Sequence, residues 1–100
     1  MLRNVRILVS YDGSRFFGWQ RQEGFWSVQE AIEEALLGLT GETVTVRGSG
    51  RTDAGVHALG QVANFHLDTD LTDNRLWHGL NGHLGRCGAV IRALQTCEGN

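Results

Sequence analysis

Lysine and proline are absent from the 100 residues, and cysteine occurs only twice. All nine basic residues are therefore arginines, and eleven acidic residues leave a formal net charge of −2. This balance argues against a protein that binds nucleic acid through bulk positive charge. No apolar run approaches the roughly 20 residues of a membrane-spanning helix, and the first residues do not resemble a signal peptide. We therefore expect a cytoplasmic protein without membrane association.

The length and the 41% share of hydrophobic residues are sufficient for one folded domain over residues 1–100. Cys87 and Cys97 have no second cysteine pair and no histidine at ligand spacing, so no zinc site is expected. In a cytoplasmic protein the two thiols are interpreted as small core residues.

The apolar pattern predicts six elements in the order β-α-β-β-α-β. Strands are expected near 5–10, 43–47, 58–67 and 89–97. The first helix is the clearest element, because Ser27 and Glu30 form a capping box, an apolar stripe follows, and Gly41 can end the helix. A second helix is expected after the polar segment 68–73, with a buried side formed by Leu76, Trp77, Leu80 and Leu84.

Right-handed crossovers would place both helices on one face of a four-stranded antiparallel sheet. This is the ferredoxin-like α+β arrangement. The fold by itself indicates no particular function, since it supports many unrelated ones.

The segment between the second and third predicted strands is longer than a hairpin needs. It reads Gly-Ser-Gly-Arg-Thr-Asp-Ala-Gly-Val-His from 48 to 57. Arg51 and Asp53 are two residues apart, so in extended backbone both side chains project to the same side. An aspartate beside a cation stays ionised, which suits a nucleophile better than a general acid. The alternative is a structural turn, with Asp53 capping its own backbone, Gly55 at positive φ and His57 in a structural hydrogen bond.

Four motifs resemble the TruA-type tRNA pseudouridine synthases. The segment 50–58, Gly-Arg-Thr-Asp-Ala-Gly-Val-His-Ala, is similar to the active-site signature of that family. Tyr-Asp-Gly at 11–13 followed by Gly-Trp-Gln-Arg-Gln at 18–22 resembles its N-terminal signature. The residues 27–31 and 60–65 are similar to its first helix and its third strand. The resemblance extends over nearly the whole chain.

This resemblance implies an isomerase that converts uridines in the anticodon arm of tRNA to pseudouridine, with no cofactor and no metal. Asp53 matches the catalytic nucleophile, whose carboxylate attacks either the ribose or the uracil ring. Arg51 would help to displace the target base and then pair with Asp53. The remaining positions that the resemblance assigns to substrate binding are Thr52, His57, Arg21, Gln20 and Tyr11. The full-length enzyme is expected to be a homodimer with tRNA as its partner.

The connection 14–26 carries five aromatic residues, which are Phe16, Phe17, Trp19, Phe25 and Trp26. With Arg15 and Arg21 it could supply stacking and phosphate contacts to an RNA stem. The alternative is that these rings only pack over the sheet. Residues 28–42 hold four glutamates and no basic residue, a net charge of −4. A phosphate-facing side therefore requires that the first helix point away from it.

The sequence also departs from the family in three ways. Family members are more than twice as long, and their later half supplies a tyrosine beneath the uracil and a basic residue that pairs with the aspartate. The only tyrosine here is Tyr11, which lies in a different motif. The segment 81–88 lacks the Leu-Pro of the family and is expected to be irregular.

We interpret the chain as the N-terminal part of such an enzyme, inactive alone. The alternatives are a non-catalytic RNA-binding module and a small dimeric domain for a small ligand.

Overall fold

The computed structural model describes residues 2–48 and 58–97, with the backbone alone at 58 and 59. These ranges contain β1 (Leu2–Tyr11), α1 (Val28–Thr40), β2 (Arg47–Gly48), β3 (Ala58–Asp68), α2 (Asp73–Leu84) and β4 (Ala89–Cys97). Neither helix in this part of the chain is long and apolar enough to cross a membrane.

The four strands form one antiparallel sheet in the order β2-β3-β1-β4. Burial alternates along β1, where Val5, Ile7 and Val9 are buried and Arg6 between them is exposed. The buried side chains of this face belong to the same core as the apolar residues of both helices. The ferredoxin-like arrangement that the element order predicts is therefore confirmed.

The local signals at both ends of α1 are confirmed. The Ser27 side chain accepts a hydrogen bond of 3.1 Å from the backbone N–H of Glu30. Gly41 lies at φ 76° and donates its backbone N–H to Leu37, 2.8 Å away. Such a left-handed residue is easiest for glycine, which has no Cβ. The buried stripe between the caps consists of Val28, Ala31, Ile32, Ala35 and Leu36.

α2 begins after the N-cap Thr72 and ends at Leu84, the last residue that the sequence assigns to its buried side. The segment 81–88 is expected to be irregular, but its first four residues are helical and only 85–88 leave the helix. Gly85 and Gly88 lie at positive φ there. Trp77 is half-buried, and the fully buried side of α2 is formed by Leu76, Leu80 and Leu84.

A polar staple joins β1, β4 and the start of α2. Arg3 donates to the carbonyl oxygens of Thr69 and Leu71 at 2.9 and 2.6 Å, and it forms a 2.8 Å ion pair with Asp73. Asp73 also accepts the hydroxyl and the backbone N–H of Thr96, at 2.6 and 3.0 Å. The Thr96 hydroxyl is the largest influence that lowers the pKa of Asp73, and Arg3 adds to it.

The second strand differs from its prediction. The sequence predicts a strand over 43–47, whereas β2 contains only Arg47 and Gly48. Val44 and Val46 are buried, which reproduces the alternation of a strand. The peptide groups of Val46 are bonded to side chains of α1, however, and not to a neighbouring strand.

The register between β1 and β4 shifts between Leu8 and Val9. Near this shift the side-chain amide of Asn81 pairs with Ile91, accepting its N–H at 2.8 Å and donating to its carbonyl oxygen at 3.0 Å. The indole N–H of Trp77 donates to the same carbonyl oxygen at 2.6 Å. α2 is thereby fixed to the backbone of β4.

The two thiols are free and lie in different surroundings. Cys87 is partly buried and packs against the core, as the sequence interpretation expects. Cys97 is also partly buried, but it ends β4 opposite Asn4 and lies outside the core. The interpretation as a core residue is therefore wrong for Cys97.

Candidate active site

The segment that the sequence singles out lies between β2 and β3. Arg51, Thr52, Asp53 and His57 are outside the described residues. The structure instead describes the two strand ends on either side of them, at Gly48 and Ala58. Three contacts from other parts of the chain restrain the backbone at or next to these two strand ends.

The first contact is made by the end of β1. Tyr11 pairs with Ala58, the first residue of β3. Its side chain is only 5% exposed, and its ring contacts Phe16 edge-on at 6.1 Å and Trp19 at 6.5 Å. Burial raises the pKa of the Tyr11 hydroxyl. Tyr11 therefore belongs to the core beneath the strand ends, and a contact of Tyr11 with substrate stays a prediction.

The second contact involves Trp19 from the 18–22 motif. Its buried ring packs directly against Gly48. An ideal Cβ on Gly48 would overlap the indole nitrogen and would lie 2.8 Å from Cε2 of the same ring. The absence of a side chain at Gly48 is thus required for this approach.

The third contact comes from α1, and the sequence does not predict it. Glu33 accepts the backbone N–H of Val46 at 2.8 Å, and Gln29 donates to the carbonyl oxygen of Val46 at 2.9 Å. The available signal was the 27–31 motif, which contains Gln29. Nothing in local spacing connects Glu33 to Val46, because thirteen residues separate them.

Arg21 lies on the outer side of this contact, and Gln20 beside it is exposed. The Arg21 guanidinium bonds to one oxygen of Glu33 at 2.7 and 3.0 Å and lies 3.6 Å from Glu30. The hydrogen bond to Glu33 is the main cause that raises the pKa of Arg21. Contacts of Arg21 and Gln20 with substrate stay predictions.

Of the five aromatic residues in the connection 14–26, some pack over the sheet and others remain exposed. Phe16 and Trp19 are buried in the core, as the packing alternative expects. Phe17, Phe25 and Trp26 remain 41–49% exposed, and the rings of Phe17 and Phe25 stack at a centroid distance of 4.3 Å. Packing over the sheet therefore accounts for only part of this segment.

A polar row crosses the face of the sheet that lies away from the helices. The strand registers align Arg47, Asn64, Arg6 and Gln95, one from each strand. Both arginines are exposed. The row therefore combines two cations with two neutral amide side chains.

An apolar row runs beside the polar one, on the side nearer to Tyr11 and Ala58. It consists of Leu8, Val62 and Ala93, which lie opposite one another in β1, β3 and β4. These residues line an open hollow of about 200 Å³. The glutamates of α1 are on the opposite face, so the condition for a phosphate-facing side is met in the described structure.

Metal ligands are not grouped in the part of the chain that the structure covers. Among residues 2–48 and 58–97, no three His, Cys, Asp or Glu side chains are placed to hold a metal ion.

Comparison with known proteins gives consistent results. A family model described as tRNA pseudouridine synthase matches residues 7–96. The tRNA pseudouridine synthase A of Sinorhizobium fredii is 52% identical over 93 residues, which are 93% of this chain and 38% of that protein. The proteins of the same name from Agrobacterium fabrum and Acetivibrio thermocellus are 51% and 49% identical, over 91% and 80% of this chain and 34% and 33% of their own lengths. The chain thus spans little more than a third of these relatives, and over that span it belongs to the tRNA pseudouridine synthase family.

Proposed function

We propose that the longer protein that contains these residues isomerises uridine to pseudouridine in the anticodon arm of tRNA, with Asp53 as the nucleophile. The observation that carries this proposal is the family match over residues 7–96, which includes the strands on both sides of Asp53. The relatives are named as synthases that act on tRNA. We further propose that the longer protein is a cytoplasmic homodimer, which sedimentation would test.

The exposed face of the sheet supports RNA as the substrate. Arg6 and Arg47 can contact phosphates, which position a nucleic acid without reading its sequence. The apolar row lines the hollow beside these arginines and offers an apolar surface to a base that has left the stack. The acidic α1 lies behind the sheet and does not face this surface. The formal charge of −2 is therefore compatible with a locally basic face.

The chemistry requires only rearrangement within the substrate. The bond from ribose C1′ to uracil N1 breaks, the ring turns, and a bond forms from C1′ to C5. The proton on C5 is lost and N1 gains one, so atoms and electrons balance without an oxidant or a reductant. An ionised Asp53 beside Arg51 is suited to the covalent step. Arg51 would stabilise the flipped state, because extruding a base costs a few kcal/mol.

The test uses a chimera in which residues 1–100 replace the matching part of the Sinorhizobium fredii protein. Its substrate is tRNA labelled with tritium at uracil C5, since forming the C1′–C5 bond releases that label into water. We expect release by the chimera, no release by residues 1–100 alone, and no release when the anticodon-arm uridines are replaced by cytidine.

Asp53→Asn in the chimera should abolish release and leave tRNA binding intact. The matched control is Asp70→Asn, which changes an exposed aspartate outside the motif and should alter neither property. Release by the Asp53→Asn variant at the parent rate would remove Asp53 from its role. A parent chimera that binds tRNA without releasing tritium would favour the non-catalytic RNA-binding module.

A further inference from the structure

Side chains of α1 hold the backbone that leads into β2, the strand before the segment with Asp53. Both peptide groups of Val46 are bonded to α1 side chains, the N–H to Glu33 and the carbonyl oxygen to Gln29. Gln29 and Glu33 are one helical turn apart, and the Gln29 amide also donates to the Glu33 carboxylate at 3.3 Å. These two side chains, which we call the Val46 clamp, replace a neighbouring strand at this point.

The polar atoms of the clamp are fully used. One Glu33 oxygen receives Val46 and Gln29, and the other receives the Arg21 guanidinium at 2.7 and 3.0 Å. The Gln29 oxygen accepts the backbone N–H of Arg21 at 2.8 Å. The Glu33 side chain is only 13% exposed, and the bonds to Val46 are partly buried, so water screens them less than it screens the exposed Arg21 bonds. The Gln29 amide therefore has one orientation in which all its bonds are made.

The clamp lies directly before the strand end described above. Only two ladder pairs hold β2, which are Arg47 with Asn64 and Gly48 with Ala63. So short a strand does not fix its own direction firmly. The clamp and the ring packed on Gly48 supply the further constraints.

We propose that Gln29 and Glu33 are positioning residues, which orient the end of β2 for catalysis by the segment that carries Asp53. Arg21 acts through them, because it holds the Glu33 carboxylate and the Gln29 amide in place. This inference rests on the proposed function. Reacting groups displaced by about 1 Å can lose on the order of 100-fold in rate, whereas binding spread over the sheet face is unaffected.

The kinetic test compares Glu33→Gln with Glu34→Gln in the chimera. Both variants remove one negative charge, but Glu34 is exposed, and the Val46 N–H is bonded to Glu33. A glutamine at 33 cannot accept from both Val46 and Arg21 in one orientation. We expect kcat to fall at least 10-fold with tRNA Kd unchanged within 2-fold, and Glu34→Gln to behave as the parent.

A second variant keeps the test decisive if Glu33→Gln does not fold. Gln29→Met retains the length and charge of the side chain and removes its bond to the Val46 carbonyl oxygen. It should also lower kcat without changing Kd. Folded variants with the parent kcat, or a loss that appears in Kd instead, would overturn the proposal.

A measurement on residues 1–100 without tRNA separates this inference from the proposed function. In Glu33→Gln, hydrogen exchange of the Val46 amide should accelerate at least 10-fold and the amide resonances of 47–57 should shift. Glu34→Gln should show neither effect. Unchanged exchange and resonances in Glu33→Gln refute the clamp even if the parent chimera is active. Changed exchange and resonances with an inactive parent support the clamp and refute the proposed function.

Discussion

The contact between Trp19 and Gly48 gives a quantitative prediction for Gly48→Ala. The added methyl group would lie 2.8 Å from Cε2 and 3.0 Å from Cδ1 of the buried indole. The ring cannot move into solvent, since Trp19 is only 3% exposed. The backbone of Gly48 is restrained as well, because it pairs with Ala63 and follows the clamped Val46.

Overpacking of a buried site costs about 1–3 kcal/mol. For a domain of this size, each kcal/mol lowers Tm by roughly 4–8 °C. We therefore expect Gly48→Ala to lower Tm by at least about 4 °C in a thermal unfolding scan followed by circular dichroism. The cost is near the lower end, about 1 kcal/mol, if the short edge strand β2 moves away from the Trp19 ring.

The matched control is Gly82→Ala in α2, where an added Cβ has no atom within 4 Å. Replacing an exposed helical glycine by alanine should stabilise the chain by up to about 1 kcal/mol. A Trp19→Phe background should reduce the cost of Gly48→Ala, because the smaller ring lacks the indole nitrogen, the atom nearest to the added Cβ. If Gly48→Ala unfolds at the parent temperature, the contact does not restrain the strand end and the reasoning is refuted.

Two further predictions concern the core and the polar staple. Leu36→Ala should destabilise the chain by about 2–5 kcal/mol because Leu36 is completely buried, whereas Leu37→Ala, at a side chain 47% exposed on the same helix, should change the urea midpoint little. The pKa of Asp73 is lowered in the folded chain, so its ionised carboxylate stabilises the fold at pH values above the ordinary carboxyl pKa of about 3.9. This contribution is lost as the pH falls through the lower pKa of the folded state. Asp73→Asn should therefore flatten the acid limb of a stability-against-pH profile measured by urea unfolding; an unchanged limb would show that the Arg3–Asp73–Thr96 staple does not contribute.

Local signals account for the features that the sequence predicts well. The capping bond of Ser27 and the left-handed Gly41 depend on residues within one turn, so they can be recognised from spacing alone. β4 occupies the predicted range 89–97, because its apolar residues are bounded by turn residues. The family motifs could be recognised in the same way, since most of their residues are contiguous.

Non-local contacts account for the differences. The alternating valines before β2 predict a longer strand, but side chains of α1 take the hydrogen bonds that a strand partner would provide. The grouping of Arg6 with Arg47 depends on the registers of three strand pairs, which single-sequence periodicity does not contain. The burial of Tyr11 with Phe16 and Trp19 likewise follows from tertiary packing rather than from the 11–13 motif.

The pairing of Asn81 with Ile91 has a consequence for self-association. β4 is at the edge of the described sheet, and exposed edge strands are templates for pairing with another chain. At Ile91 the helix side chain already occupies both the backbone donor and the backbone acceptor. A strand from a second molecule could extend the sheet past this point only by displacing α2 from β4. The same amide that anchors the helix therefore also blocks strand addition at this point of the edge.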